Sequence, residues 1–166
     1  MAVFPAHNTP GADPALLVKL QENLDRVLAG KVEPIELGRA LLETAELFEK
    51  DASKDGRITT TKKIQDNIWI AIDSVHLRQI LWNLLVNAAE AIDGEGAIDI
   101  EMFSIKNKQA CIKITDDGCG MSADELKSIF DPFFTTKPNG TGLGLSIVHR
   151  ILEAYDALLN VESSEN

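Results

Sequence analysis

Hydrophobic and polar positions change period several times along the chain, and each change marks an element. Leu16, Leu17, Leu20, Leu24, Val27 and Leu28 recur at helical spacing, with Asp13 as N-cap, Pro14 at the first helical position and Gly30 as stop. A helix over Pro14 to Ala29 is expected, preceded by a disordered leader over residues 1–13. Glu33-Pro34 breaks the chain, and Leu37, Leu41, Ala45 and Phe48 predict a second helix over Ile35 to Lys50. A polar turn over Asp51 to Arg57 follows. Ile58 to Gln65 and Ile68 to Asp73 then alternate or run apolar with Thr, Ile and Trp, as strands do.

The most apolar segment runs from His76 to Ile92. Leu77, Ile80, Leu81, Leu84, Leu85, Ala88 and Ile92 make one face of a helix, and Asn83 and Asn87, four apart, share a stripe beside it. Asp93-Gly-Glu-Gly96 ends this helix. Ala97 to Ile105 and Ala110 to Asp116 read as a hairpin across Lys106 to Gln109. Ser122 with Glu125 three residues later signals a capping box for a short helix to Ile129. A glycine-spaced loop, Gly140 to Gly144, opens an amphipathic helix, and Leu158 to Ser163 reads as a last strand. Helices alternating with half-polar strands imply an α/β sandwich, a sheet with one buried face under a helix layer.

Composition narrows the function. The 166 residues carry 16 basic and 26 acidic side chains, a net charge of −10, which argues against nucleic acid or an anionic membrane as the main partner. No run of 18 apolar residues is present. Two cysteines, Cys111 and Cys119, without a Cys/His cluster, read as reduced cytosolic thiols rather than a zinc site or disulfide.

Candidate chemistry falls in three places. Gly140, Gly142 and Gly144 free the backbone to approach an anion where the next helix presents its positive end, with Lys137, Thr135, Thr136, Thr141 and Ser146 on the approach. An ordinary glycine-punctuated loop has the same sequence. Asn83 and Asn87 project two amides from one helix face and suit Mg²⁺ or a phosphate oxygen, or else cap neighbouring backbone. Asp116 ends a strand at a turn built on Gly118 and Gly120, where its carboxylate can accept from an exocyclic amine, or simply form an Asp-Gly turn.

Together, Asn83-Leu-Leu-Val-Asn87-Ala88, Asp116-Asp-Gly118-Cys-Gly120, Phe130-Asp-Pro132-Phe133 and Gly140-Thr-Gly-Leu-Gly-Leu145 resemble the N, G1, F and G2 boxes of the ATP-binding catalytic domain of sensor histidine kinases. The run Phe-Phe-Thr-Thr-Lys137 with its short lid is similar to the nitrogen-regulatory branch. The resemblance covers roughly residues 35 to 163. It implies a Bergerat-type fold with a mixed, mainly antiparallel sheet, and ATP lying under a lid at Asp131 to Thr141. It further implies that Asn83, Asn87, Asp116, Gly118, Gly120, Phe133, Thr135, Thr136, Lys137, Gly140, Thr141, Gly142, Leu143, Gly144 and Leu145 hold the nucleotide, with Asn87 on Mg²⁺. Asn83, Asn87 and Lys137 are the implied catalytic set.

On this resemblance residues 51–166 form the catalytic domain, and 14–50 a helical remnant of a dimerisation hairpin and its linker, through which the chain could homodimerise. The implied reaction passes the γ-phosphoryl of Mg-ATP to a histidine on such a hairpin and then to a response regulator, in the cytoplasm. His7 sits beside prolines, and His76 and His149 within the domain's own helices, so none fits the acceptor. Alternatives are an ATPase or serine kinase of the same superfamily, where a glutamate replaces Asn83, and a non-catalytic ATP-binding module. Departures from the pattern are Asp117 where Asn is common, adding negative charge near the nucleotide, and Tyr155-Asp-Ala-Leu158 in place of a glycine pair.

Overall fold

A computed structural model describes residues 33–52, 57–105, 109–138 and 140–165. The expected leader, the helix over Pro14 to Ala29 and His7 lie outside them.

The elements run β1 (Ile35–Glu36), α1 (Leu37–Ala52), β2 (Ile58–Ile64), β3 (Trp69–Ile70), α2 (Ser74–Ala91), β4 (Gly96–Ile105), β5 (Gln109–Asp116), α3 (Ala123–Ser128) and α4 (Gly144–Ala154). One sheet has the order β2-β4-β5, parallel between β2 and β4 and antiparallel between β4 and β5. A separate antiparallel pair joins β1 to β3. The fold is thus mixed α/β with both strand senses.

Alternation places the apolar side of the sheet. Ile98, Ile100 and Met102 of β4 are buried, whereas Asp99 and Phe103 between and beyond them are exposed. Against that side packs a helix layer with α2 at its centre, touching α1, α4 and β5. Leu37, Leu41, Ala45 and Phe48 of α1 are all buried, as are Leu77, Ile80, Leu81, Leu85 and Ala88 of α2 and Val148, Ile151 and Leu152 of α4. Leu84 is only half-buried. Burying each of the larger side chains among these contributes about 1.5–3 kcal/mol, so the order of these layers is over-determined by their apolar stripes.

Several expected boundaries differ, the smallest being that Asp51 and Ala52 extend α1 into the expected turn and Gln109 joins β5. Ile35 and Glu36 belong to a strand rather than to α1, because they pair with Ile70 and Trp69 and the Glu36 carboxylate accepts from the amides of Gly38 and Arg39. The strand expected over Ile68 to Asp73 shrinks to two residues, since Asp73 is the N-cap of α2, accepting from the Val75 amide at 2.8 Å. Its helix accordingly begins two residues earlier than predicted. Leu158 to Ser163 is not a strand. Asp156 at φ 53 and an Ala157 amide bonded back to Leu152 turn the chain out of α4. The polar tail beyond then offers the Ser163 hydroxyl to the Met121 amide rather than a ladder to β5. The capping box at Ser122 and Glu125 forms as expected.

Candidate functional site

The end of β5, the middle of α2 and the start of α4 meet at one edge of the helix layer. Asn83 and Asn87 are half-buried on α2 and point their amides at the first turn of α4. A Cβ built on Gly144 would lie 3.7 Å from Asn87 Nδ2, 3.8 Å from Asn83 Oδ1 and 3.9 Å from Asn87 Oδ1. No side chain caps this helix: Leu143 occupies the N-cap position in a helical conformation without a side-chain bond. Ser146 donates its hydroxyl to the Leu143 carbonyl at 3.0 Å and is buried, so it braces the turn. The uncapped first turn of an α-helix carries amide donors and the positive end of the helix dipole. Two amides and a donor-rich helix end therefore face one another across a glycine.

The loop ahead of α4 is tied to the Phe130–Phe134 segment. The Phe133 amide donates to the Gly142 carbonyl at 2.9 Å, and both residues have left-handed backbones, φ 70 and φ 66. A Cβ on Gly142 would come within 2.3 Å of the Phe133 carbonyl carbon, so glycine is demanded by packing. Phe133 itself is 74% exposed. Thr135 accepts from the Lys137 amide at 3.1 Å and abuts Gly140, making a tight turn that presents Lys137. Lys137 reaches α2 and forms an ion pair with Glu90. Thr136 and Thr141 are exposed; Leu143 and Leu145 are half-buried.

At the third corner, Asp116 is exposed, with Oδ1 accepting from the Gly118 amide at 3.1 Å. Gly118 is pressed against the end of α2: its Cβ would lie 2.6 Å from the Ala91 carbonyl oxygen, which accepts from the Cys119 amide at 2.9 Å. Gly120, at φ 74, meets the Ser164 carbonyl, 1.9 Å from where a Cβ would be. Asp117 accepts from the Ala97 amide at 2.8 Å, turned to the start of β4. Its carboxylate is thereby engaged by the hairpin. Cys119 is exposed, while Cys111 is fully buried on β5, where burial pushes its thiol pKa up and keeps it protonated.

The two described histidines have structural partners. His76 Nδ1 lies 2.8 Å from the Tyr155 hydroxyl, which also accepts from the Asp73 amide at 3.2 Å, so the start of α2 is fastened to the end of α4. His149 packs its ring on Phe130, centroids 5.0 Å apart, with Glu153 3.6 Å away. Sequence reading missed three contributors: Glu90, Ser163 and Ser164. Glu90 alone had a signal, lying three residues beyond Asn87 on the same helix face.

Comparison with known proteins agrees with this geometry. The sequence pattern of the histidine kinase-, DNA gyrase B-, and HSP90-like ATPases matches residues 72–166, more than half of the chain, and the chain belongs to that family. Its relatives include sensor histidine kinases. The signal transduction histidine-protein kinase AtoS of Escherichia coli is 38% identical over 125 residues, covering 75% of this chain and 21% of AtoS. Sporulation kinase A of Bacillus subtilis is 31% identical over 148 residues, covering 89% and 23%. The solved catalytic domain of histidine kinase ThkA superposes with a TM-score of 0.67 at 30% identity, covering 74% of this chain and 80% of that one. Full-length ShkA in complex with AMPPNP gives 0.64 at 27% identity, covering 84% and 31%. The chain thus carries the ATPase-like domain of this family, in the fold seen in histidine kinase catalytic domains. The chain spans about a sixth to two fifths of the curated relatives it matches. Among the described residues, no helix is long and apolar enough to cross a membrane.

Proposed function

We propose that this chain binds Mg-ATP between α2, the Asp116 corner and the lid, and donates the γ-phosphoryl group to a histidine on a dimerisation hairpin. One observation carries the reading: the amides of Asn83 and Asn87 converge on Gly144 at the uncapped start of α4. That cradle has the donors, the helix end and the open glycine that a polyphosphate requires. Asp116 keeps acceptor capacity for the adenine amine, beside Gly118 and Gly120. The segment from Phe133 through Thr135, Thr136, Lys137, Gly140, Thr141, Gly142 and Leu143 to Leu145 would wrap the phosphates.

The residues present also fit a magnesium ion. Among the described residues no group of three or more His, Cys, Asp or Glu could form a protein cage, and Mg²⁺ typically takes one or two protein oxygens and completes its shell with water and phosphate. Asn87 would supply that oxygen. Bound there, the ion would neutralise phosphate charge during transfer. For their part, Asn83 and the first amides of α4 would orient the phosphates, and Lys137 would follow the charge of the group being transferred. The acceptor imidazole attacks the γ-phosphorus as the bridging oxygen leaves with ADP. Asn83 cannot serve as a base, which favours transfer to a histidine over the hydrolysis or serine phosphorylation performed where glutamate stands in its place.

In this reading residues 51–166 form the catalytic domain and 14–50 a hairpin remnant and linker, of which β1 and α1 pack into that domain's core, following a leader over 1–13. The phosphorylated hairpin would pass its group to a response regulator, in the cytoplasm, with homodimerisation through the N-terminal helix. Calorimetric titration with a non-hydrolysable ATP analogue, with and without Mg²⁺, tests the core of it. Micromolar-range binding strengthened by Mg²⁺ is expected, and absence of binding would sink the proposal. Labelling a supplied hairpin from γ-labelled ATP tests the transfer.

A further inference from the structure

Lys137 is assigned above to the phosphates, yet it is already engaged. Its ammonium is ion-paired with the Glu90 carboxylate, the two side chains 36% and 51% exposed. Glu90 lies three residues after Asn87 and seven after Asn83, hence on the face of α2 that carries both amides. The lid turn is built to deliver this lysine. Thr135 Oγ1 accepts from the Lys137 amide, the Lys137 carbonyl accepts from Gly140 at 3.1 Å, and Gly140 sits so close to Thr135 Oγ1 that a Cβ would be 2.3 Å from it.

We propose that Glu90 is a built-in anion that latches the lid onto α2 through Lys137 when no nucleotide is bound, and that the ATP polyphosphate releases the latch by taking the lysine. The proposal rests on the reading of the Asn83–Asn87–Gly144 cradle as a phosphate site. A single carboxylate on a partly exposed helix face holds the ammonium weakly. A polyphosphate brings several negative charges and lies against the start of α4, so it outcompetes Glu90 without needing any further movement of α2. Glu90 is therefore a positioning residue: it keeps Lys137 within a side chain's reach of the cradle and sets a modest affinity cost on entry.

The test has two arms, so the latch and the nucleotide site fail separately. In the first, hydrogen exchange at the Phe134 and Lys137 amides is measured without nucleotide. Glu90→Gln should raise it about twofold to fivefold, the range for a surface ion pair, and 1 M salt should bring the unmodified protein to the same rate. The exchanged pair Glu90→Lys with Lys137→Glu should restore slow exchange. In the second arm, AMPPNP is titrated with and without Mg²⁺. Glu90→Gln should bind about twofold to fivefold tighter in both conditions, whereas the charge-exchanged pair should bind far more weakly. Equal lid exchange in Glu90→Gln and the unmodified protein overturns the latch. Affinity that falls in Glu90→Gln only when Mg²⁺ is present overturns it too, and would make Glu90 a metal ligand. If no protein binds AMPPNP, the phosphate-site reading fails, and the exchange arm still decides whether the ion pair holds the lid.

Discussion

Gly118 and Gly120 after β5, and Gly144 at the start of α4, stand in similar sequence settings, each a glycine-spaced turn at the end of an element. Their surroundings differ. At the first corner, protein backbone fills the space beside each glycine: a Cβ would strike the Ala91 carbonyl at 2.6 Å or the Ser164 carbonyl at 1.9 Å. At Gly144 the nearest atoms are the two asparagine amides, at ordinary van der Waals distance from a Cβ, 3.7–3.9 Å. The first corner needs glycine in order to fold. Gly144 instead leaves an approach open between the helix start and two side-chain amides, which is what a ligand requires and what folding alone does not. A motif glycine is therefore informative about binding only after the packing demand on it has been subtracted.

The largest effect should come from Gly118→Ala. Its methyl would collide with the carbonyl carbon, oxygen and Cβ of Ala91 and displace the oxygen that accepts from the Cys119 amide. Overpacking against helix backbone should cost about 3 kcal/mol, the upper end of the usual range, read as a lowered midpoint in urea unfolding. An unchanged midpoint would mean the corner yields easily, and the contrast with Gly144 would be lost.

Asp116→Asn should leave that midpoint in place, because an asparagine Oδ1 still accepts from the Gly118 amide. ATP affinity should fall by about 2 kcal/mol, as for a hydrogen bond to a charged acceptor. Parallel loss of stability and binding would place Asp116 on the folding side of the comparison.

Gly144→Ala sharpens the contrast most directly. The backbone there is helical and the added methyl meets no close atom, so reduced chain entropy in the unfolded state should stabilise the protein by about 0.4–1 kcal/mol. Nucleotide affinity should nevertheless drop, since the methyl occupies the gap between the α4 amides and Asn83 and Asn87. A variant that gained stability and kept its affinity would show the gap is not the phosphate seat.

Much of this was legible in the sequence because it repeats locally. Apolar stripes at helical spacing gave α1, α2 and α4, the Ser122–Glu125 box gave α3, and alternation gave β2, β4 and β5. Asn83, Asn87 and the glycine-spaced loop before α4 announced themselves by spacing and do come together. Long-range backbone events were not legible. Leu158 to Ser163 has strand composition, but its pairing depends on how Asp156 and Ala157 leave α4. Asp117 looked like an added charge near the nucleotide, and only the register of the β4–β5 hairpin reveals Ala97 as its partner. The Lys137–Glu90 pair joins residues far apart in the chain, which no period along the sequence could reveal.

The smallest expected effect tests whether the open cradle depends on how α2 and α4 are held at their other end. There His76 is 8% exposed and bonded to the Tyr155 hydroxyl, which also receives the Asp73 amide. Burial lowers its pKa below the ordinary histidine value, and the nearby Asp73 carboxylate opposes that only in part. A base with a depressed folded-state pKa binds its proton more readily when unfolded. Its contribution to stability is therefore intact above pH of about 6.5 and declines as pH falls below it. Between pH 7 and 6 the loss can reach at most about 0.7 kcal/mol by that linkage. Glu49, whose pKa is lowered by Lys62 and Thr60 against the opposing and larger single effect of burial, adds acid sensitivity only as pH falls through and below the ordinary carboxylate value. The pH 6–7 interval thus separates His76 from Glu49. Unfolding midpoints measured across it should decline in the unmodified protein and stay flat in His76→Gln, and a slope shared by both would assign the acid sensitivity to another group. If AMPPNP affinity falls along with the midpoint in the unmodified protein alone, the His76–Tyr155 fastening helps set the distance between the amides and the start of α4. If affinity stays constant, the cradle is held by the shared core of α2 and α4, Leu81, Leu85, Val148 and Ile151, without help from that end.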